Sequence, residues 1–413
     1  MAASWNKGYD PKEIARRMED VKSIGPQGHV TFKGFEHSEH AVILRTMINF
    51  GSELPDVEKE RIINRSTFEA GKKGKITPEG ILAAVDELTI EYHKRPLQEF
   101  HLLTTLSLYR FSKISKQAWN GCTIQFYPDL QKKYIAGRRQ ILDSAKRRVL
   151  GGLPRDYLEV KAITSGKSNA EAANNCLDSI NLLRGIWNLF YNRNNWIRMS
   201  SGKRDPVNKI LLGPIHSLHG PTGGLATESW WYQPEYQGPV SPHKLEKDIT
   251  DIHRFTNNVR KCLKSSCYRK DIESSILMYV SALDLQDWDA AFLGLWRGLE
   301  KLTHTTGADS YATTVRRASF LYSDREYHKQ ILTHLKDYRN RSVHSGSSNS
   351  DIEICMFQLK RYVEDAIEFH LGNSSRFESM PLAAEFMDLP DDLKTLDRRI
   401  NAMKYAKKYL GHI

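Results

Sequence analysis

The run Trp288-Asp-Ala-Ala-Phe292-Leu-Gly-Leu295-Trp296-Arg297-Gly-Leu299-Glu300-Lys-Leu302 decides how the C-terminal part of the chain folds. Its large apolar residues recur at steps of 4, 3, 4 and 3, which winds them onto one face of an α-helix. Upstream, Ile272, Ile276, Tyr279 and Leu283 form a second stripe of the same kind. Downstream, Ser323-x-x-Glu326 reads as a capping box ahead of Tyr327, Ile331, Leu335 and Tyr338. Ser350-x-x-Glu353 does the same for Ile352, Met356, Leu359, Val363 and Ile367. Striped helices joined by short loops bury their stripes against one another, so the chain from about residue 246 is expected to form an antiparallel bundle.

Toward the N-terminus the texture is mixed. Thr77 suits an N-cap and Pro78 the first helical position, ahead of Ile81, Val85, Leu88 and Tyr92. Leu102, Leu103, Leu106 and Leu108, after Pro96, read as a second helical run. Cys122–Tyr127 and Tyr157–Ile163 read as strands, the first stopped by Pro128-Asp129 and the second by Thr164-Ser165-Gly166. Ser168-x-x-Glu171 opens a helix expected to reach about Tyr191, and residues 193–245, rich in Gly, Pro and aromatics, read as strands and long loops. The expected fold is therefore α+β: a mixed α/β region over residues 1–250, an all-α bundle over 251–372, and a helical extension over 373–413.

Composition narrows the function. The 413 residues include 60 Lys+Arg against 49 Asp+Glu, a formal charge of +11, and 40% are hydrophobic, which excludes a disordered or fibrous chain. No window approaches the roughly 20 apolar residues of a membrane span, and the N-terminus lacks the apolar segment of a signal peptide. The expectation is a cytoplasmic protein with no membrane partner. Five scattered cysteines predict no disulfide framework, and Cys262-x4-Cys267 has no nearby pair to complete a zinc site. Residues 1–270 hold 42 Lys+Arg and 28 Asp+Glu, whereas residues 271–372 hold 11 and 15. A basic part beside a mildly acidic one suggests that the first holds a polyanion and the second does something else.

Between the last two striped helices lies Lys336-Asp-Tyr-Arg339-Asn340-Arg341-Ser-Val-His344-Ser-Gly346. Arg339 and His344 stand near an expected helix end, where Ser345-Gly346 breaks the pattern and both side chains can enter one cleft. Arg grips a phosphate through paired hydrogen bonds, and His exchanges a proton near neutrality. Together they suffice, without a metal or other cofactor, to drive attack of a ribose 2′-hydroxyl on the adjacent phosphate. Arg339 and Arg341 equally fit solvated cations answering the helix dipole, with His344 in a surface loop.

Arg-Asn-x-x-Val-His-x-Gly between two helices, preceded by Leu295-Trp296-Arg297-Gly-Leu299-Glu300-Lys-Leu302, resembles the HEPN superfamily, most closely the ApeA-like HEPN domains of prokaryotic defence proteins. The resemblance covers about residues 265–372. It implies a HEPN-like helical bundle with endoribonuclease activity, Arg339 and His344 as the catalytic pair, and Asn340 as the polar residue after the Arg. It implies Glu300 and Arg341 as supporting residues, Glu300 as an acid that orients Arg339, while a solvated helix-surface acid fits that position equally. It further implies an RNA substrate, a homodimer in which two motifs face each other, and a toxin-like role against phage with a phage or defence-system protein as possible partner. A HEPN-like module used only for dimerisation beside a nucleic-acid sensor, or a subunit of a larger defence or guide-RNA complex, are the alternatives.

Elsewhere, residues 130–148 carry seven cations, Lys132, Lys133, Arg138, Arg139, Lys146, Arg147 and Arg148, against Asp143 alone, with aromatics interleaved. Cations that neutralise phosphates and rings that stack on bases make this the nucleic-acid-binding candidate, and a cationic helix face turned to solvent fits it as well. His37/His40 and His216/His219 have a metal-compatible spacing if helical, but lack a third ligand, so no metal site is expected. Ser165-Gly-Lys-Ser168 is not a phosphate loop, because Ala162 stands where the first Gly is required. Trp230-Trp231-Tyr232 fits a stacking platform or a buried aromatic cluster.

Overall fold

The computed structural model describes residues 2–149, 151–195, 205–245, 248–305, 311–345 and 351–411. The first ninety-odd residues form a small helical unit. In chain order it contains β1 (Ser4–Trp5), α1 (Lys12–Val21), β2 (Lys22–Ile24), β3 (Val30–Phe32), α2 (Glu36–Met47), β4 (Ile48–Asn49), α3 (Asp56–Lys72) and α4 (Pro78–Lys94). Helix α4 starts where its sequence indicates: Thr77 Oγ1 accepts from the Gly80 N–H at 3.0 Å, and Ile81, Val85, Leu88 and Tyr92 are all buried. The unit has its own core, from Ala15 to Tyr92.

A six-stranded antiparallel sheet follows, in the order β10-β9-β5-β8-β7-β6. Its elements are β5 (Gln98–Tyr109), β6 (Gln117–Trp119), β7 (Cys122–Tyr127), α5 (Lys132–Ala145), β8 (Tyr157–Gly166), α6 (Asn169–Asn192), β9 (Ile215–His219) and β10 (Leu225–Tyr232). The strands expected at 122–127 and 157–163 are present. The helix expected through Leu102–Leu108 is instead strand β5, hydrogen-bonded along almost its whole length to β8. The reason is burial on both faces. Phe100, Leu102, Leu106 and Leu108 enter the core under α6, whereas His101 faces α5 and bonds Tyr134, so no polar alternation marks the strand.

Helix α6 opens as its capping box predicts, with Ser168 Oγ accepting from Glu171 N at 3.1 Å and Lys167 N donating to Glu171 Oε2 at 2.7 Å. It lies across the sheet and meets the bundle on its other side. The bundle comprises α7 (Ile249–Ser265), α8 (Arg269–Leu283), α9 (Trp288–Leu302), α10 (Tyr311–Ser319), α11 (Arg325–Ser345), α12 (Ile352–Gly372) and α13 (Met380–Met387). Ser350, expected to cap α12, lies outside the described residues. At the start of α11, Asp324 Oδ1 rather than Ser323 accepts from an amide, that of Tyr327, at 3.4 Å. A last helix, α14 (Leu393–Leu410), buries none of its residues.

The chain is thus a mixed N-terminal region followed by an all-helical one. One hydrophobic cluster nevertheless runs from Phe100 to Met380, straight across residue 250 where a domain boundary was expected, while the gap between clusters lies between Tyr92 and Phe100. Gly185 shows how close the α6–α8 contact is, since a Cβ there would lie 2.8 Å from Ile276 Cγ2. Gly185→Val is therefore expected to cost about 1–3 kcal/mol in urea denaturation through overpacking of this seam. An unchanged midpoint and slope would show that α6 and α8 are not held together as described.

Candidate active site

Helix α11 carries the Arg-x4-His pattern. Leu332, Leu335 and Tyr338 fix its inner face in the core, and the Tyr338 hydroxyl donates to Asp289 Oδ1 at 2.8 Å with its ring edge-on to Phe292. Tyr327, expected on that stripe, is exposed. Arg339, next after Tyr338, is half-buried in a nest built by three helices. Its Cζ lies 4.2 Å from the centre of the Tyr311 ring of α10. That ring stands edge-on to Trp296 of α9, whose Nε1 donates to Glu300 Oε1 at 2.7 Å.

Glu300 is therefore partly buried rather than a solvated surface acid. Burial raises its pKa above the ordinary carboxylate value, against the lowering effects of the Trp296 hydrogen bond and the Arg339 and Arg297 charges. Arg339 has no carboxylate within ion-pair distance among the described residues, and its contact with Asn340 Oδ1 is long, 3.5 Å. Arg341 is exposed, with its charge near Cys355.

The backbone of residue 344 lies on the last turn of α11, but the His344 side chain lies outside the described residues. The helix runs unbroken from Arg339 through His344 to Ser345, the position at which the sequence suggests that the pattern breaks. At about 100° and 1.5 Å per residue, the two Cα positions are about 140° apart around the axis and about 7.5 Å apart along it. Trp296 and Tyr311, which hold the Arg, were not singled out as site residues in the sequence. The i, i+4 pair Trp296/Glu300 was the available signal.

The basic segment is helix α5 with a 3-10 turn over Lys146–Arg148. Tyr134, Arg138, Ile141 and Ala145 face inward. Arg138 is thus removed from the nucleic-acid-binding set: it is buried and donates to Ser217 Oγ at 3.1 Å and the Ile215 carbonyl at 2.9 Å, and burial lowers its pKa to about 10. Lys132, Lys133, Arg139, Lys146, Arg147 and Arg148 are exposed. The Arg148 guanidinium lies 5.7 Å from the Trp230 ring centre, and Trp230 meets Tyr232 edge-on along the edge strand β10. Of the six exposed cations, Arg148 joins Trp230 and Tyr232 in lining a cavity of about 240 Å³.

Three of the four paired histidines, His37, His216 and His219, are engaged in hydrogen bonds. His216 and His219 lie on strand β9, not a helix; His216 Nδ1 bonds Thr104 Oγ1, and His219 bonds Ser217 and the Gly223 carbonyl. His37 of α2 bonds Thr67 Oγ1 and stacks on Phe32. No cluster of three metal-ligating side chains occurs among the described residues. No helix among them is long and apolar enough to cross a membrane.

Comparison of the chain with protein-family models, with curated proteins and with solved structures finds no match.

Three measurements check this placement. Burial depresses the pKa of His216 to about 3, and of His219 and His370 to about 4; His370 bonds the Leu302 carbonyl at the end of α9. The unfolded chain binds these protons near pH 6.5 and the folded one does not, so stability falls as pH drops from about 6.5 to 4, by about 2 kcal/mol per histidine at pH 5. Denaturant melts at pH 7.5 and 5 should show this loss, reduced in His370→Gln; a pH-independent midpoint would contradict the neutral buried rings. Second, Arg138→Ala should lower stability by about 1.5–3 kcal/mol through its lost charged hydrogen bonds. Third, reversing Lys146, Arg147 and Arg148 together should leave stability unchanged, and the expectation that this face holds RNA requires it to weaken RNA binding with a shallower salt dependence.

Proposed function

We propose that this chain is a metal-independent endoribonuclease of the HEPN type, a toxin-like effector of prokaryotic anti-phage defence that acts on RNA in the cytoplasm. The observation that carries it is Arg339: a guanidinium held against the Tyr311 ring, beside a half-buried Glu300 but not ion-paired to it, on the bundle helix that also bears residue 344. An oriented and unneutralised cation suits an incoming phosphate.

In the proposed reaction His344 removes the proton from a ribose 2′-hydroxyl. The 2′-oxygen bonds to phosphorus, the bond to the 5′-oxygen breaks, and that oxygen leaves with a proton. The products are a 2′,3′-cyclic phosphate and a 5′-hydroxyl, so DNA is inert. Arg339 stabilises the charge on the phosphoryl oxygens, Asn340 orients the phosphate or the Arg, and Glu300 positions Arg339 from behind. The angular separation of positions 339 and 344 on one continuous helix favours a composite site, with a second copy of the bundle facing the first.

That same separation also favours the second reading, in which the bundle is a HEPN-like dimerisation module and the basic N-terminal faces do the binding. Cleavage of a panel of tRNA, rRNA and mRNA in the presence of chelator separates the two. His344→Ala and Arg339→Ala should each slow cleavage about 10²–10⁴-fold. Wild type and His344→Ala cleaving alike, or neither cleaving, would reject the nuclease assignment.

A further inference from the structure

A second, larger cleft lies away from the Arg339 nest in the chain's topology, between the β6–β7 hairpin and the helices α7 and α8. Its volume is about 1080 Å³. The hairpin turns through Asn120-Gly121, both with positive φ (48° and 77°), the two-residue geometry that matches strand twist, with Trp119 paired to Cys122. It is fastened to both helices. Gln117 Oε1 accepts from Arg260 Nη2 of α7 at 2.7 Å, and Asn120 Nδ2 donates to Glu273 Oε2 of α8 at 3.1 Å.

The lining is strongly cationic: Lys116, Arg260, Lys264, Arg269 and Lys270 against the single carboxylate of Glu273. That carboxylate is already engaged by Arg269 Nε at 2.5 Å and by Asn120. Lys116, Lys264 and Lys270 make no ion pair among the described residues, and all three are exposed. Arg260 sits 4.7 Å from the Trp119 ring centre, and its polar partners are the neutral Gln117 and Asn257. Burial lowers its pKa, so a counter-ion would restore what desolvation costs its charged form.

Independent of the charge, three buried polar atoms of residues lining this cleft have no hydrogen-bond partner among the described residues: Trp119 Nε1, on a residue only 3% exposed, Arg260 Nε and His253 Nε2. Indole and guanidinium nitrogens can only donate. A cleft with unsatisfied donors and a surplus of cations selects an anion rich in acceptor oxygens. Its size and its five cations exceed what one inorganic phosphate would use, which favours a ligand with several phosphates in a row.

We propose that this cleft binds the phosphates of a nucleotide, carried either by a free nucleoside triphosphate or by a short single-stranded RNA. The site does not depend on the nuclease assignment, since none of its residues belongs to the Arg339 nest.

The test uses the full chain, titrated with ATP and, separately, with a fluorescein-labelled oligouridylate, at about 50 and 200 mM salt. At least one probe should bind, and Lys264→Glu and Lys270→Glu should each weaken it about tenfold or more with unchanged melting temperature. Trp119→Phe, which keeps the packing and removes the N–H, should weaken it by a smaller factor. Binding of both probes marks a nucleotide pocket; binding of the oligonucleotide alone marks an RNA track. Binding by neither overturns the proposal, as does wild-type affinity in Lys264→Glu and Lys270→Glu. His344→Ala should bind like wild type, so loss of cleavage with retained binding separates the two sites.

Discussion

A buried ion pair holds the sheet and the bundle in one register. Arg184 of α6 meets Asp284, just beyond α8, through two contacts of 2.7 and 2.8 Å, with both side chains almost wholly removed from solvent. Asn208 adds a hydrogen bond to the same carboxylate at 2.8 Å, and Asn181 and the Ile210 carbonyl take the remaining guanidinium donors. A second buried pair, Lys360 with Glu364, donates to the Asn192 carbonyl at the end of α6 at 2.7 Å. Such pairs add little net stability over well-packed apolar residues, yet loss of one partner strands a charge at a cost of about 3–5 kcal/mol. Their effect here is positional. Helix α6 cannot slide along α8 or α12 without breaking them, and α9, which carries Trp296 and Glu300, packs on both α8 and α12, with α11 against α9 and α12.

How much of this was legible follows from where each residue is solvated. Helix α4 and helix α6 announce themselves because their caps are polar, local and specific, Thr77-Pro78 in one case and Ser168-x-x-Glu171 in the other. Strand β5 conceals itself because both its faces are covered, so its leucines fall at helical and strand spacings alike. The continuous core across residue 250 was hidden for a similar reason. The change in texture there reflects a change from strands and loops to helices, not a break in packing, since α6 presents apolar residues to both sides.

The candidate site was legible in its chemistry and not in its construction. The pattern around Arg339 names a cation and a titratable ring, but the aromatic support comes from Trp296 and Tyr311, 43 and 28 positions earlier in the chain. Glu300 changed character for the same reason. Solvent would have left it an ordinary helix-surface acid, whereas its contact with the Trp296 indole and its partial burial make it part of the Arg339 surroundings. In the basic segment, sequence counted Arg138 with its neighbours because charge alone does not report direction. On α5 it follows Tyr134 by one turn and so faces the sheet, where Ser217 and Ile215 supply the acceptors it needs.

The charge balance gains its sharpest meaning from residues 251–270, which hold six Lys or Arg against Asp251 alone and form α7 and the start of α8. They belong by fold to the helical region, yet by charge to the basic part of the chain. Helix α8 consequently joins two environments: its first turn lines the cationic cleft with Arg269, Lys270 and Glu273, and its length packs against α9, which carries Trp296 and Glu300. Asp271 of that first turn also reaches Lys301, the residue after Glu300, at 3.6 Å. Capture of a polyanion and chemistry on it need opposite surroundings, since the first gains from many exposed cations and the second from a few oriented ones. In the proposed function the two tasks fall to different segments, capture to the cationic cleft at the start of α8 and cleavage to Arg339 and His344 in a segment with more acids than bases, within a chain whose total charge is +11.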